Sequence, residues 1–239
     1  MTPSSLNFSD DFEGYVIGTR LSALGFLGWG ASSSGITIQS NTTYLASARA
    51  AQFPAATVLT NSISAVGLSN VWTECALNES NHVVNGTFVE VDTNAVVQLY
   101  MNTNRYVVLY NRTSALWEVC SNDIWGVGLA GVYSNGWAHI SVNQNYATKK
   151  AALFLNGHLV REQIDFINTN QGSFMRFQMK SSESCTSYLD SVAFSTNVPA
   201  NLTSGPESDL DHDGIPDAVE IAQCGNLQFL PYGSVFKIR

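Results

Sequence analysis

The segment 209–220, which reads DLDHDGIPDAVE, carries the most specific chemical pattern in this chain. It places carboxylates at alternate positions of a short loop, a glycine where the loop must turn sharply, and a last carboxylate at the twelfth position. Oxygen ligands at this spacing converge on one Ca²⁺ ion, which takes roughly six to eight oxygens. An acidic, solvated linker is the alternative. The predicted calcium ligands are Asp209, Asp211, Asp213, Ile215 through its backbone carbonyl, Asp217 and Glu220.

The segments on either side of this loop change what it can do. Gly205-Pro206 forbids a long helix over 201–208, and Pro216 precedes a short exit helix predicted over 217–223. The loop resembles the EF-hand-like calcium loops of thrombospondin type 3 and dockerin-like repeats in secreted bacterial proteins, but it is a single copy. The resemblance implies a rigid joint, with a linker at 201–208 and a calcium loop and helix at 209–224.

Composition excludes several classes of partner. The 239 residues carry a net charge of −8 and only 11 lysines and arginines, which argues against nucleic acid and anionic membranes. No apolar run approaches the roughly 18 residues that a membrane crossing needs, and no signal-peptide pattern follows Met1. Because calcium loops of this type suit the higher calcium levels outside cells, we expect a secreted or cell-surface protein.

The cysteines and the asparagine sequons are both compatible with an extracellular protein. An even number of cysteines without a C-x-x-C pair favours disulfides over zinc, with three pairings open and four buried thiols as the alternative. The disulfide candidates are Cys75, Cys120, Cys185 and Cys224. Asn-x-Ser/Thr sequons permit glycosylation without demonstrating it. They occur at Asn7, Asn41, Asn78, Asn85, Asn111 and Asn201.

Short strands separated by Asn, Gly and Ser fill most of the chain, and no window keeps a helical period. Gly28-Trp29-Gly30 is interpreted as a loop. Asn156-Gly157 between two apolar runs predicts a type I′ hairpin turn, because both residues then need positive φ. Beyond a first edge strand near residue 8, strands are predicted at 35–39, 44–50, 57–60, 70–77, 87–92, 95–101, 105–110, 115–120, 136–143, 150–156, 158–164, 173–180 and 186–195.

Fourteen short strands without helices predict an all-β sandwich or barrel. Alternation along 173–180 predicts that Phe174, Arg176, Gln178 and Lys180 share one face of their strand.

The motifs DDFEGY at 10–15, WAHISV at 137–142 and FLNGHLV at 154–160 resemble laminin G/concanavalin A-like jelly rolls of bacterial surface proteins. The resemblance covers about 8–198. It implies an antiparallel two-sheet jelly-roll sandwich over 1–200, with a late strand at 188–195 returning beside the first. The calcium loop and its helix would then form a short C-terminal appendage.

Catalytic patterns are weak. Hydrolases of this superfamily carry E-x-D-x-x-E, whereas this chain has Glu90, Asp92 and then Ala95 in place of the acid, so the proton donor is missing. We interpret Glu90 as part of a solvent-facing strand edge. The four histidines lack metal spacing, and neither a G-x-S-x-G elbow nor a phosphate loop is present. We expect no enzymatic activity.

Aromatic side chains in Gly- and Asn-rich loops could hold a glycan. The candidates are Trp125, Tyr133 and Asn135, the alternative being that the rings plug the end of the sandwich. The tryptophans at 29, 72, 117 and 137 are interpreted as core or sheet-face residues. A second calcium held by Asp11 or Glu13 near Asp190 is a further hypothesis.

The segment 225–239 is an apolar, strand-like tail. A lone strand is not stable, so residues 227–239 must pack on their own sandwich or add to the sheet edge of another copy. We therefore expect a non-catalytic, calcium-binding adhesion or filament subunit. A carbohydrate-binding module of a larger secreted protein is the alternative, and a polysaccharide-degrading enzyme is a weaker one.

Overall fold

A computed structural model describes nine ranges of the chain: residues 6–23, 28–63, 67–79, 88–91, 97–101, 107–112, 115–119, 136–181 and 185–202. Within these ranges the regular structure is β-strand, with two short 3₁₀ turns at Leu21–Ala23 and Ala200–Leu202 and no α-helix. The prediction of an all-β chain is therefore confirmed for the part that the structure describes.

Fifteen strands occur in the described ranges. In chain order they are β1 Asn7–Asp10, β2 Trp29–Ala31, β3 Thr37–Gln39, β4 Ala50–Phe53, β5 Val58–Asn61, β6 Asn70–Glu79, β7 Phe88–Val91, β8 Val97–Met101, β9 Val107–Asn111, β10 Leu116–Val119, β11 Trp137–Asn145, β12 Lys150–Leu155, β13 His158–Asp165, β14 Phe177–Lys180 and β15 Ser187–Ser195.

These strands form two antiparallel sheets. Sheet A has the order β13-β12-β11-β6-β15-β4-β3, with β1 also paired to β15. Sheet B has the order β10-β9-β8-β7-β14-β5-β2. Neighbours that are distant in sequence, such as β6 with β15 and β14 with β5, give the crossed connections of a jelly roll. As the resemblance implied, the late strand β15 returns beside β1 and pairs Asn7 with Ser195.

A continuous apolar core fills the space between the sheets. Phe194 on sheet A lies at its centre, with ring-centroid distances of 5.1 Å to Phe8, 5.1 Å to Phe174 and 5.7 Å to Phe177. All four side chains are buried. The aromatic residues of the sequence therefore close the core from both sheets.

A buried carboxylate links the two sheets at one end. Asp10 on β1 of sheet A accepts hydrogen bonds from Trp29 Nε1 on β2 of sheet B and from the Tyr15 hydroxyl, both at 2.7 Å. Its other oxygen accepts the Phe12 backbone N–H at 2.9 Å. Since a buried carboxylate needs such donors, Asp10 is a structural acceptor.

The predicted hairpin is confirmed in detail. Asn156 and Gly157 have φ of 53° and 87°, as a type I′ turn requires. The Asn156 side-chain oxygen also accepts the His139 backbone N–H at 2.9 Å, and the Asn156 backbone N–H donates to the His139 carbonyl at 2.8 Å. The turn is therefore anchored to β11 as well as closing its own hairpin.

Three local predictions were wrong. The segment 44–49 is a turn and loop, and the strand begins at Ala50. Trp29, interpreted as a loop residue, begins β2, because its indole is held by Asp10 and its backbone pairs with Asn61. Phe174 does not share a face with Gln178 but is fully buried in the core, since the chain is irregular between 174 and 177.

Candidate functional site

The two sheets differ in their outer faces. On sheet A the middle of that face is covered: Trp72, Trp137 and Phe154 are 1%, 2% and 0% exposed. Leu202 packs against Trp72 there, and Tyr44 packs against Trp137. The corresponding positions of sheet B carry polar and aromatic side chains that are partly open to solvent. Among the described residues, the outer face of sheet B is therefore the one whose polar and aromatic side chains are open to solvent.

A row of polar positions crosses sheet B. The register of the ladders sets Gly30 beside Thr60, Thr60 beside Gln178, Gln178 beside Glu90, and Glu90 beside Gln98. Thr60, Gln178 and Gln98 alternate with the buried Leu59, Met179 and Leu99, so they face away from the core. Across these five adjacent strands the side chains of Thr60, Gln178 and Gln98 form one line of hydroxyl and amide groups, which we call the polar row.

Aromatic residues lie beside the polar row. Tyr100 is two positions beyond Gln98 on β8 and pairs with Val108, while Tyr110 on β9 pairs with Trp117 on β10. Both tyrosines are partly exposed, whereas the neighbouring Leu99 and Leu109 are buried in the core. A tyrosine presents an apolar ring face together with a polar hydroxyl.

This arrangement suits a polyhydroxylated ligand. Glutamine side chains offer both donors and acceptors, which match sugar hydroxyls, and aromatic rings cover the apolar faces of sugar rings. Gly30 leaves the end of the polar row without a side chain; an added Cβ there would lie 3.1 Å from Thr60 Oγ1. The row is consequently flat and open at its β2 end.

The covered face of sheet A holds a different group of polar residues. Glu74 Oε2 lies 3.5 Å from His139 Nε2, and His139 Nδ1 lies 3.4 Å from Ser141 Oγ. The order Ser–His–Glu resembles a hydrolytic triad. However, Ser141 is fully buried, and Tyr44 packs against both the His139 imidazole and Trp137. A nucleophile that no substrate can reach does not support catalysis.

Burial governs the protonation of this pair. It raises the pKa of Glu74 to about 7 and lowers the pKa of His139 to about 4. The separation of 3.5 Å is within ion-pair distance. Both pKa shifts nevertheless favour the neutral forms, so between about pH 4 and pH 7 the contact joins a neutral imidazole and a protonated carboxyl group. The imidazole is held by packing, stacked on Tyr44 at 6.1 Å between ring centroids.

The Glu74 shift predicts a pH dependence of stability. Because the pKa of Glu74 is higher in the folded state, its contribution is present at low pH and is lost as pH rises from about 4.5 to about 7. His139 acts oppositely, since its contribution is lost as pH falls from 6.5 to about 4. Glu74→Gln should therefore stabilise the fold at about pH 8 relative to about pH 5, by about 1–3 kcal/mol in urea unfolding. An equal effect at both values, or the same gain with Asp11→Asn, would contradict this.

Two carboxylates pin the loop over 42–49. Asp190 accepts the Tyr44 backbone N–H at 3.3 Å. Glu13 Oε1 accepts the backbone N–H groups of Ala48 at 2.7 Å and Arg49 at 2.9 Å, and the Arg49 guanidinium donates to the Glu13 carbonyl. These are the residues of the second calcium hypothesis. Among the described residues no group of three or more His, Cys, Asp or Glu could hold a metal, so the visible role of this pair is to fix the loop.

Several predicted site residues lie outside the described residues. They are the six calcium ligands at 209–220, the exit helix, the tail 225–239, the loop residues Trp125, Tyr133 and Asn135, the cysteines Cys120 and Cys224, and the sequon Asn85. These predictions stay predictions.

The structure shows the burial of two predicted cysteines and of several sequon asparagines. Cys75 is a buried thiol whose pKa burial raises to about 12, and Cys75 and Cys185 are not bonded to each other. Asn7 and Asn41 are exposed, whereas Asn78 is 5% exposed and has no room for a glycan in this fold. Asn111 ends β9, and Asn201 lies in a 3₁₀ turn.

The interpretation of Glu90 as part of a strand edge was wrong. β7 is an internal strand, paired with β14 on one side and β8 on the other. The polar row was missed because strand order is non-local: alternation identified Gln178 and Lys180 as neighbours on one face but could not show that β14 lies between β5 and β7. Polar residues alternating with apolar ones in VQLYM and FQMK were the available signal.

Comparisons with known proteins describe the fold. No family model matches the chain, and no curated protein matches it in sequence. A solved sialidase is similar with a TM-score of 0.56 at 10% identity, over 80% of this chain and 18% of that one. Cellulose induced protein Cip1 (TM-score 0.49, 10% identity) covers 80% of this chain and 97% of its own. An alginate lyase mutant in complex with alginate tetrasaccharide (0.46, 14%) covers 81% and 97%.

At 10% identity the likeness to the sialidase shows the fold alone. It supports an all-β, antiparallel two-sheet sandwich of jelly-roll type, while the laminin G relationship stays a prediction. This chain spans less than a fifth of the length of that sialidase. In the part of the chain that the structure describes, no helix has the length and apolar character needed to cross a membrane.

Proposed function

We propose that this chain is a non-catalytic carbohydrate-binding β-sandwich of an extracellular protein, and that the outer face of sheet B holds the glycan. The observation that supports the proposal is the contrast between the two outer faces. Sheet A buries Trp72 and Trp137, while sheet B leaves the polar row and Tyr100 partly open. The similar solved structure with a TM-score of 0.56 is named a sialidase, but a shared fold does not assign a function, so the proposal rests on the residues of sheet B.

Loss of a ring or an amide on sheet B should weaken glycan binding. Tyr100→Ala and Gln178→Ala are expected to reduce affinity at least about tenfold, because central contacts carry most binding energy. Binding would be measured on a glycan array and then by titration with the best polysaccharide.

Asn143→Ala is the matched control, since Asn143 is a partly exposed amide on the other sheet, bonded to Asn70 at 3.0 Å. Tyr100→Phe separates stacking from the hydroxyl contact and should retain most of the affinity. A wild-type chain that binds no glycan, or variants indistinguishable from Asn143→Ala, would refute the proposal.

Calcium is a second part of the proposal and rests on the pattern at 209–220. Bound Ca²⁺ would stiffen the joint that follows the sandwich. Chelation is therefore expected to increase proteolysis within 201–239 while near-ultraviolet circular dichroism of the sandwich stays unchanged. Asp213→Asn should reproduce the effect of chelator. Equal cleavage with and without calcium would remove calcium from the proposal.

Self-association through 227–239 is the competing proposal for how the chain works. Electron microscopy of the purified chain distinguishes the two: ordered, calcium-dependent polymers lost on deleting 227–239 would favour a filament subunit. Dispersed particles that bind glycan favour the binding domain. Polysaccharide cleavage that disappears in Glu90→Gln would instead show an enzyme.

A further inference from the structure

The outer face of sheet B is wider across its strands than it is long. Within the described ranges its seven strands have only three to five residues each. At about 3.3 Å per residue the longest of them runs for about 17 Å, whereas six spacings of about 4.8 Å give the sheet a width of about 29 Å. A long ligand on this face therefore lies across the strands.

The polar row follows the same wide direction and continues onto β9. The antiparallel ladder pairs Leu99 with Leu109, so the next position along it sets Gln98 beside Tyr110. Four strand spacings separate Thr60 on β5 from Tyr110 on β9, which is about 19 Å at roughly 4.8 Å per spacing. Groups that can contact a ligand thus extend well beyond the width of one sugar ring.

The β2 end of the row has no side chain that could stop a ligand. Gly30 lies on β2, the last strand of the sheet, and pairs with Thr60. Its φ is outside the left-handed region, so the backbone conformation at this position does not require glycine. A ligand that follows the row can therefore continue past Thr60 over the backbone of β2.

We propose that the outer face of sheet B recognises an internal stretch of a linear polysaccharide laid across the strands; this inference rests on the proposed function. The ring of Tyr110 covers one sugar, and the amides of Gln98 and Gln178 bind hydroxyls of the sugars that follow. Thr60 Oγ1 donates to the Gly30 carbonyl at 3.2 Å and keeps its lone pairs for another sugar hydroxyl. Successive strands therefore contact successive parts of the polysaccharide.

Fragments of two lengths test this extended site. The full chain would be titrated with the two-sugar and six-sugar fragments of cellulose, xylan, mannan and β-1,3-glucan. In each series that binds, we expect the six-sugar fragment to bind at least about tenfold more tightly, because it contacts more strands. Chemical reduction of the terminal sugar of the six-sugar fragment should leave its affinity unchanged, since the site contacts internal sugars.

Variants at the two ends of the row separate an extended site from a compact one. Thr60→Ala and Tyr110→Ala should each weaken binding of the six-sugar fragment several-fold. A two-sugar fragment is too short to contact both positions, so at most one of these variants should weaken its binding. Gly30→Val places a branched side chain in the path and should weaken binding of the polysaccharide more than binding of the six-sugar fragment.

Gln52→Ala is the matched control, because Gln52 is a partly exposed glutamine on β4 of the other sheet. Urea unfolding of every variant verifies that the fold is retained. Equal affinity for both fragment lengths would overturn this inference, as would a six-sugar fragment sensitive to only one end of the row. Array binding confined to glycans outside the four linear series would also overturn it. Each of these outcomes leaves the glycan-binding proposal intact. Binding to no glycan, or variants that all match Gln52→Ala, would overturn both.

Discussion

Asp10→Ala is expected to lower the free energy of unfolding by about 3–5 kcal/mol, one of the two largest effects we expect for a single substitution. The substitution leaves Trp29 Nε1, the Tyr15 hydroxyl and the Phe12 N–H without their acceptor. Each buried donor that loses its partner costs about 1–3 kcal/mol, and the partly exposed Tyr15 hydroxyl recovers some of this from water. Urea unfolding followed by tryptophan fluorescence measures the change.

Asp11→Ala supplies the comparison, because Asp11 is the next residue, is exposed, and within the described ranges accepts one hydrogen bond, from the Glu13 N–H at 3.1 Å. Its loss should cost less than about 1 kcal/mol. Asp10→Asn keeps an acceptor oxygen and should fall between the two. Equal destabilisation by Asp10→Ala and Asp11→Ala would show that the link between the sheets contributes little.

Phe194→Ala is the second large effect, with an expected loss of about 3–5 kcal/mol from the cavity that it leaves. The ring is fully buried and packs on Phe8 from β1, on Phe174, and on Phe177 from sheet B. Three aromatic partners cannot all close into one gap, so little relaxation is expected. The denaturant midpoint should fall without a change in slope.

Two variants bracket this result. Phe194→Leu retains much of the volume and should cost about half as much or less. Val198→Ala removes a side chain that is 40% exposed just after the same strand and should stay within about 0.5 kcal/mol of wild type. A Phe194→Ala loss as small as that of Val198→Ala would place Phe194 outside the cooperative core.

Much of the fold could be predicted because its signals are local. Alternation and turn residues located most strands, and Asn156-Gly157 fixed both the position and the type of its turn. The prediction of a loop at Trp29 was wrong for a physical reason. Its strand is three residues long, and its indole is held by Asp10, nineteen positions earlier in the chain. The strand propensities of neighbouring residues cannot predict a contact between positions so far apart in the chain.

The candidate site could not be predicted for the same reason, because its residues are even further apart in the chain. Gln178 and Gln98 are eighty positions apart, and they share a row only because β7 lies between β14 and β8. The sequence predicted glycan-binding residues in loops, whereas the polar row lies on the outer face of sheet B.

The pairing of the first and last strands has a mechanical consequence. Asn7 pairs with Ser195 and Asp10 with Val192, so the start of β1 and the end of β15 lie side by side. A tensile load between those points therefore opens the ladder from one end, stretching its hydrogen bonds in succession instead of all together. The separation runs inward until it reaches Asp10, where the bond to Trp29 transfers the load to the other sheet.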